Sequence, residues 1–345
     1  MKPSPAPTSR RPAAVAGIEI LADFMQAILA VTVPFFALVL CGFLAARRHV
    51  LPESAIPGLN AFVLYFALPC MLFRFGMNTP IFDLLNPVVL VVYLCAALLI
   101  VFFTIAVSLS DRVHLKDASF GALVAAFPNT GFMGVPLLVA LLGPAAAGPT
   151  ISVLTADLVV TTTACLAVAE AQGSGGQGLW RSARRILLGV AKNPMPWAIA
   201  LGATFSAMGW QLWGPADAVV KMLADAASPV ALFTIGAVLW RAGRHAHTRT
   251  PPGRYLPVAA IKLLLHPLLL LGLGLAAQAL GAPLDDFALM VIVLVAALPS
   301  ASNVAILAER YGADTGRVAR IIMSSTVAAF VTFTAVAWLS GVRPA

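Results

Sequence analysis

Ten long apolar runs follow one another along this chain, with little polar sequence between them. A membrane-spanning helix needs about 20 mainly apolar residues. Segments 24–46, 55–76, 87–110, 117–142, 149–171, 193–213, 217–242, 255–280, 285–308 and 316–340 reach that length. Only 10% of residues are charged and 60% are hydrophobic, where a soluble domain carries about 25% charged residues. Such a chain cannot clothe itself in polar groups, so its outer faces need lipid. The expected fold class is therefore an all-α integral membrane protein of ten transmembrane helices. Residues 1–23, rich in Pro and Ala, read as a disordered tail. Residues 24–171 and 193–340 each hold five segments, joined by a short loop at 172–192.

The net charge of +8 does not point to nucleic acid, since no basic stripe carries interleaved aromatics. Instead the basic residues sort by side. Loops after segments one, three, five, seven and nine hold fifteen Lys and Arg, against six on the opposite side. The positive-inside rule then places both termini outside the cytoplasm. Cys41, Cys70, Cys95 and Cys165 lie in separate apolar blocks. No metal-ligand spacing joins them, so neither a metal nor a disulfide is expected.

Two segments share a motif. Segment two reads Pro69-Cys-Met-Leu72-Phe73-Arg-Phe-Gly76, and segment seven reads Pro229-Val-Ala-Leu232-Phe233-Thr-Ile-Gly236. Both are P-x-x-L-F-x-x-G, five segments apart. Segments four and nine also correspond, because each is interrupted near its middle by Pro and Asn. A repeat of five spans is odd, so the second copy must enter the membrane from the other side. Inverted repeats with broken helices at matching positions are a signature of secondary transporters.

The interruptions hold the candidate substrate site. Segment four contains Phe127-Pro128-Asn129-Thr130-Gly131-Phe132-Met133-Gly134-Val135-Pro136. Each Pro removes a donor and clashes with the preceding turn, and Gly weakens a helix further. In lipid the freed backbone groups would cost several kcal/mol each, so the break must be buried in protein or line a cavity. Segment nine carries Leu298-Pro299-Ser300-Ala301-Ser302-Asn303-Val304. Ser, Thr and Asn here can cap the half-helix that follows. In an inverted pair, the two new half-helices start near the midplane and converge. Their N-termini offer unpaired N–H donors and a partial positive charge, which suits a carboxylate. Asn129, Thr130, Gly131, Gly134, Ser300, Ser302 and Asn303 are the expected substrate contacts, with Pro128, Pro136 and Pro299 making the breaks.

Ionisable residues inside spans are functional candidates. Asp157 stands in a polar run with Thr155 and Thr161–Thr163, Asp225 lies inside segment seven, and His266 lies deep in segment eight. These are the candidates for coupling to H⁺ or Na⁺; for Asp225 and His266 a structural hydrogen bond is the equal alternative. Lys262 is expected to snorkel to the surface. Bringing a dianion into an inside-negative cell costs about 4.6 kcal/mol per 100 mV, twice the value for one charge. Uptake would need accompanying cations and efflux would not.

The NTGFMGVPL and LPSASNVAILAERYGAD segments, with the two P-x-x-L-F-x-x-G helices, resemble the auxin efflux carrier family, which includes plant auxin exporters and bacterial carriers associated with malonate and other carboxylates. The resemblance runs over residues 24–340. It implies a scaffold domain, a transport domain with crossed fourth and ninth helices, an elevator motion, and Asn129 and Asn303 at the crossing. The long central loop of the plant exporters is missing here, which argues against auxin as the substrate. The implied location is a bacterial cytoplasmic (inner) membrane, with lipid and a small organic anion as partners. Neither a cofactor nor nucleic acid is implied, and apolar outer faces leave a homodimer open. A channel, or a carrier of a neutral amphipathic solute, is the alternative. A membrane-embedded enzyme has no motif to rest on: H-E-x-x-H and G-x-S-x-G are both absent.

Overall fold

The computed structural model describes residues 13–80, 84, 86–171, 191–245 and 250–342. Among them all regular structure is helical. We number the helices α1 (Ala13–Arg47), α2 (Glu53–Asn78), α3 (Pro87–Ser108), α4 (Leu115–Ala126), α5 (Thr130–Leu142) and α6 (Pro144–Ala171). The second half contains α7 (Pro194–Met208), α8 (Gly214–His245), α9 (Leu256–Ala279), α10 (Asp286–Ala297), α11 (Val304–Tyr311) and α12 (Thr315–Leu339).

Seven of these, α1, α2, α3, α6, α8, α9 and α12, are long and apolar enough to cross a membrane. Expected segments four and nine are each split in two, into α4 and α5 and into α10 and α11. Expected segment six is α7, a helix of 15 residues that ends where Gly209 turns left-handed (φ 64°), a common helix stop. The first helix starts earlier than expected, with helical backbone from Ala13. Residues 1–12 of the expected tail and most of the 172–192 loop lie outside the described residues.

Local chemistry sets the helix starts. Asn86 accepts from the N–H groups of Val88 and Val89, with Pro87 next to it, and opens α3. Asn193 does the same for α7 through Met195 N–H, Asp285 for α10 through Ala288 N–H, and Asp314 for α12 through Arg317 N–H. Each satisfies an orphan donor of the first turn. Among the described residues, four single wide turns with i→i+5 bonds interrupt the spans, at Val63–Ala67, Thr130–Gly134, Asp157–Thr161 and Ile261–Leu265. Three of them stand just before Pro69, Pro136 or Pro267, where the missing N–H and the ring push the preceding turn open.

Two sets of helices result. In one, α1 packs on α8 and α2 packs on α7 and α8; in the other, α3, α6, α9 and α12 surround the broken segments α4–α5 and α10–α11. Glycines of the repeated motif make the tight crossings of the first set. A Cβ on Gly236 of α8 would fall 1.8 Å from the Val39 carbonyl oxygen of α1, and one on Gly42 would fall 1.8 Å from that of Phe233. Gly76 of α2 and Gly202 of α7 meet in the same way, a Cβ on Gly202 falling 3.0 Å from Gly76 Cα. Close backbone approach of this kind favours small residues in membrane helix pairs. On α3, Val89, Val92, Tyr93, Ala96, Ala97, Ile100 and Val101 are buried, while Val91, Leu99, Phe102 and Phe103 are exposed on its outer side. An apolar face open to the surroundings on so long a helix suits hydrocarbon rather than water.

Candidate functional site

The two interruptions meet. Asn129 N–H donates to the Pro299 carbonyl at 2.8 Å, and Ala301 N–H donates to the Phe127 carbonyl at 3.0 Å. Pro128 and Ser300 are thereby paired antiparallel, a two-bond bridge set among helices. Pro interrupts each helix, and the backbone groups released on one chain segment satisfy those released on the other. The starts of α5 and α11 therefore stand side by side.

At these starts several donors stay free. Among the described residues, the N–H groups of Gly131, Phe132, Ser302 and Asn303 reach no acceptor. Capping by side chains does not occur: neither Asn129 nor Asn303 bonds to the turn that follows it. Both amides are thus left available, and the reason is geometric, since the bridge already fixes the backbone entering each half-helix. Asn129, Thr130, Gly131 and Asn303 line one cavity, together with Phe127, Leu154, Leu158 of α6 and Met195 of α7. Its volume is about 20 Å³, room for a water molecule or two. No lining residue carries a charge.

The remaining expected contacts are distributed otherwise. Ser300 is fully buried and committed to structure, its hydroxyl donating to Val124 O at 2.7 Å and its N–H to Ser325 Oγ at 3.2 Å. Gly134 makes room for Leu298, whose Cδ1 would stand 2.7 Å from a Cβ there. Ser302 is buried but outside the cavity lining. Pro136 follows the wide turn of α5, and Pro299 supplies the bridging carbonyl.

Beside the crossing lies a buried polar network. Tyr93 of α3 donates its hydroxyl to Asp157 Oδ2 at 2.8 Å, with the Ala126 carbonyl at 3.3 Å. Lys262 does not snorkel. It is fully buried, donates to the Ala296 carbonyl at 2.8 Å and stands 3.2 Å from His266 Nδ1. The Tyr93 and His266 rings lie 5.9 Å apart, joining the two halves of the network, and Asp157 and Lys262 are near enough to interact electrostatically. Ala126 ends α4, and Ala296 is the penultimate residue of α10. A phenol and an ammonium therefore each address the carbonyl end of a half-helix, where donors and positive charge are favoured. Asp157 and Lys262 both sit on wide turns. Asp157 Oδ1 and His266 Nε2 are buried with no hydrogen-bond partner among the described residues. The structure thus unites Asp157 and His266 but leaves Asp225 apart, exposed on α8.

Tyr93 escaped the sequence reading because a phenol hardly disturbs an apolar run; its one signal is that it is the sole tyrosine of α3.

Comparison with known proteins bears on what this arrangement serves. The family model described as membrane transport protein matches residues 27–337. The chain belongs to that family, the family of the auxin efflux carriers. Among its relatives, a Rhizobium meliloti (strain 1021) protein named "Putative malonate transporter" is 28% identical over 324 residues, covering 93% of this chain and 99% of the relative. An Escherichia coli (strain K12) protein named "Uncharacterized transporter YfdV" is 27% identical over 311 residues, 89% of this chain and 95% of its own length. A Methanothermobacter thermautotrophicus protein, named as an uncharacterized transporter, is 27% identical over 298 residues, 86% and 92% of the two chains. This is a multi-pass membrane protein of a transporter family.

Proposed function

We propose that this chain is a secondary active carrier of a small organic anion, a carboxylate such as malonate, in a bacterial cytoplasmic membrane. The observation that carries the reading is the cavity at the crossing. Two half-helix N-termini present free N–H groups there, flanked by the amides of Asn129 and Asn303. Such a site binds an anion by dipoles alone. A fixed positive side chain is unnecessary, and a ligand so held can also leave.

The proposed architecture is ten membrane crossings in two inverted repeats of five, with both termini on the non-cytoplasmic side. Supporting it, Gly76 meets Gly202 of α7 and Gly236 meets Val39 of α1, so each motif glycine of one half crosses the first helix of the other half. The set α1, α2, α7 and α8 would be the scaffold, and the helices around the crossing would be the element that moves in an elevator-type cycle. Asp157 and His266, linked through Tyr93 and Lys262, are proposed to exchange the coupling proton. Lys262 already places an ammonium in this region, which argues for H⁺ over Na⁺. Substrate symport with protons would balance the charge of a dianion.

Because no charged side chain lines the cavity, a neutral amphipathic solute is the second reading. The deciding experiment is uptake by proteoliposomes of labelled malonate, other mono- and dicarboxylates and neutral analogues, under imposed pH, Na⁺ or electrical gradients. Saturable malonate uptake that follows the pH gradient, and is lost in Asn129→Ala and Asn303→Ala, supports the proposal. Movement of neutral solutes alone would replace it with the second reading, and flux that never saturates would mark a channel.

A further inference from the structure

Arg317 stands in the first turn of α12, a position where a long cation ordinarily reaches water, and yet is only 2% exposed. Its guanidinium is spent on three other elements. Nε donates to the Arg254 carbonyl at 2.9 Å just ahead of α9, and Nη1 donates to the Asp117 carbonyl at 2.8 Å in the first turn of α4. Nη2 donates to Ser108 Oγ at 3.3 Å, on the last residue of α3. Two carboxylates complete the knot: Asp117 Oδ1 accepts from Asp314 N–H at 2.8 Å, and Asp314 Oδ1 accepts from Arg317 N–H at 2.9 Å. Helix α4 is shaped to admit the group. A Cβ on Gly121 would lie 2.6 Å from Arg317 Nη1.

A guanidinium is a rigid planar fork, so three donations to three elements fix orientation as well as distance. Lysine could not reproduce them. Farther along α12, Ser325 Oγ accepts from Ser300 N–H at 3.2 Å, and Ser300 Oγ donates to Val124 O at 2.7 Å. Arg317 and Ser325 are separated by about 12 Å of helix. So α4 is fastened to α12 twice, at its first turn by Arg317 and near its last turn through Ser300. The residues that follow that last turn are Phe127, Pro128 and Asn129, which line the cavity.

We infer that Arg317 is a positioning residue of the carrier: it sets the register of α4 along α12, and through it the place of Asn129 opposite Asn303. The inference deepens the transport reading and rests on it for its consequence in transport, though the fastening itself can be measured without any substrate.

The test uses the full-length chain with Arg317→Lys and Gly121→Ala, and Arg254→Ala as the control, since alanine keeps the backbone carbonyl that Arg317 Nε bonds. In a background lacking the four native cysteines, spin labels on Lys116→Cys and Thr315→Cys, both exposed, report the separation of α4 and α12. Uptake of labelled malonate over a concentration series gives half-saturation and maximal rate separately, and thermal unfolding in detergent confirms folding. A shifted or broadened label distance is expected for both Arg317→Lys and Gly121→Ala. Half-saturation should rise about tenfold or more and the maximal rate change far less, because small misplacements of binding groups are costly. The control should match the parent. Unchanged distances, or folded variants with unchanged half-saturation, would overturn the inference, as would equal loss of rate alone. Should Arg317→Lys fail to fold, Gly121→Ala carries the test, since it deletes no hydrogen-bonding group. If the parent protein itself moves no malonate, the substrate reading fails, while the label distances still decide whether Arg317 holds the two helices in register.

Discussion

Lys262 Nζ donates to the Ala296 carbonyl oxygen at 2.8 Å, one residue before half-helix α10 ends. The ammonium thereby satisfies an acceptor that the break at Pro299 leaves over. Replacing Lys262 by Met keeps the bulk and removes both the donor to that carbonyl and the cation near Asp157. A stability loss of about 1–3 kcal/mol is expected, as for other buried acceptors left unpaired. Thermal unfolding of the purified protein measures it, and Lys262→Met combined with Asp157→Asn should be less destabilised than Lys262→Met alone.

Tyr93→Phe deletes the hydroxyl that Asp157 Oδ2 accepts from and nothing else. The buried carboxyl group would lose the donor on its Oδ2. Such an orphaned group costs about 1–3 kcal/mol. The packing of Tyr93 against His266 should survive, so the variant is expected to fold and to lose transport activity in the uptake assay.

Asp225 and Asp157 should behave differently under the same change. Asp225 is exposed on α8, away from the network. Asp225→Asn should leave uptake within about twofold of the parent, as surface substitutions rarely exceed about 0.5 kcal/mol. Asp157→Asn should abolish pH-driven uptake. Equal loss in both would remove the network from the coupling step.

Glycines give a prediction with a built-in control. Gly236→Ala would drive a Cβ into the Val39 carbonyl of α1, whereas nothing lies within 4 Å of a Cβ on Gly58 of α2. Overpacking of this sort costs about 1–3 kcal/mol or more, so Gly236→Ala should lower the unfolding temperature and folded yield. Gly58→Ala should be neutral or stabilising by up to about 1 kcal/mol, the helix-propensity difference. Thermal scans of the two variants side by side would check both.

The sequence made the helices and their two interruptions legible because length, hydropathy and paired prolines act locally. It also placed Asn129 and Asn303 at one site. It was blind where the answer depends on which face of a helix turns inward. Lys262 reads as a residue able to snorkel, but a wide turn at Ile261–Leu265 and the packing of α9 on α3 and α10 direct it inward. Arg317 reads as one more basic loop residue, since nothing local announces that Gly121, almost two hundred positions earlier, leaves space for it. The asparagines are able to cap by type, yet neither does, and the bonds that hold the backbone at the breaks run between the two segments.

Those bonds, Asn129 N–H to Pro299 O and Ala301 N–H to Phe127 O, join main chain to main chain. Short of proline at position 129 or 301, which would remove a donor, no exchange of one side chain for another deletes them. The side chains around the bridge can therefore be exchanged one at a time without cutting the main-chain link that holds the two half-helices together.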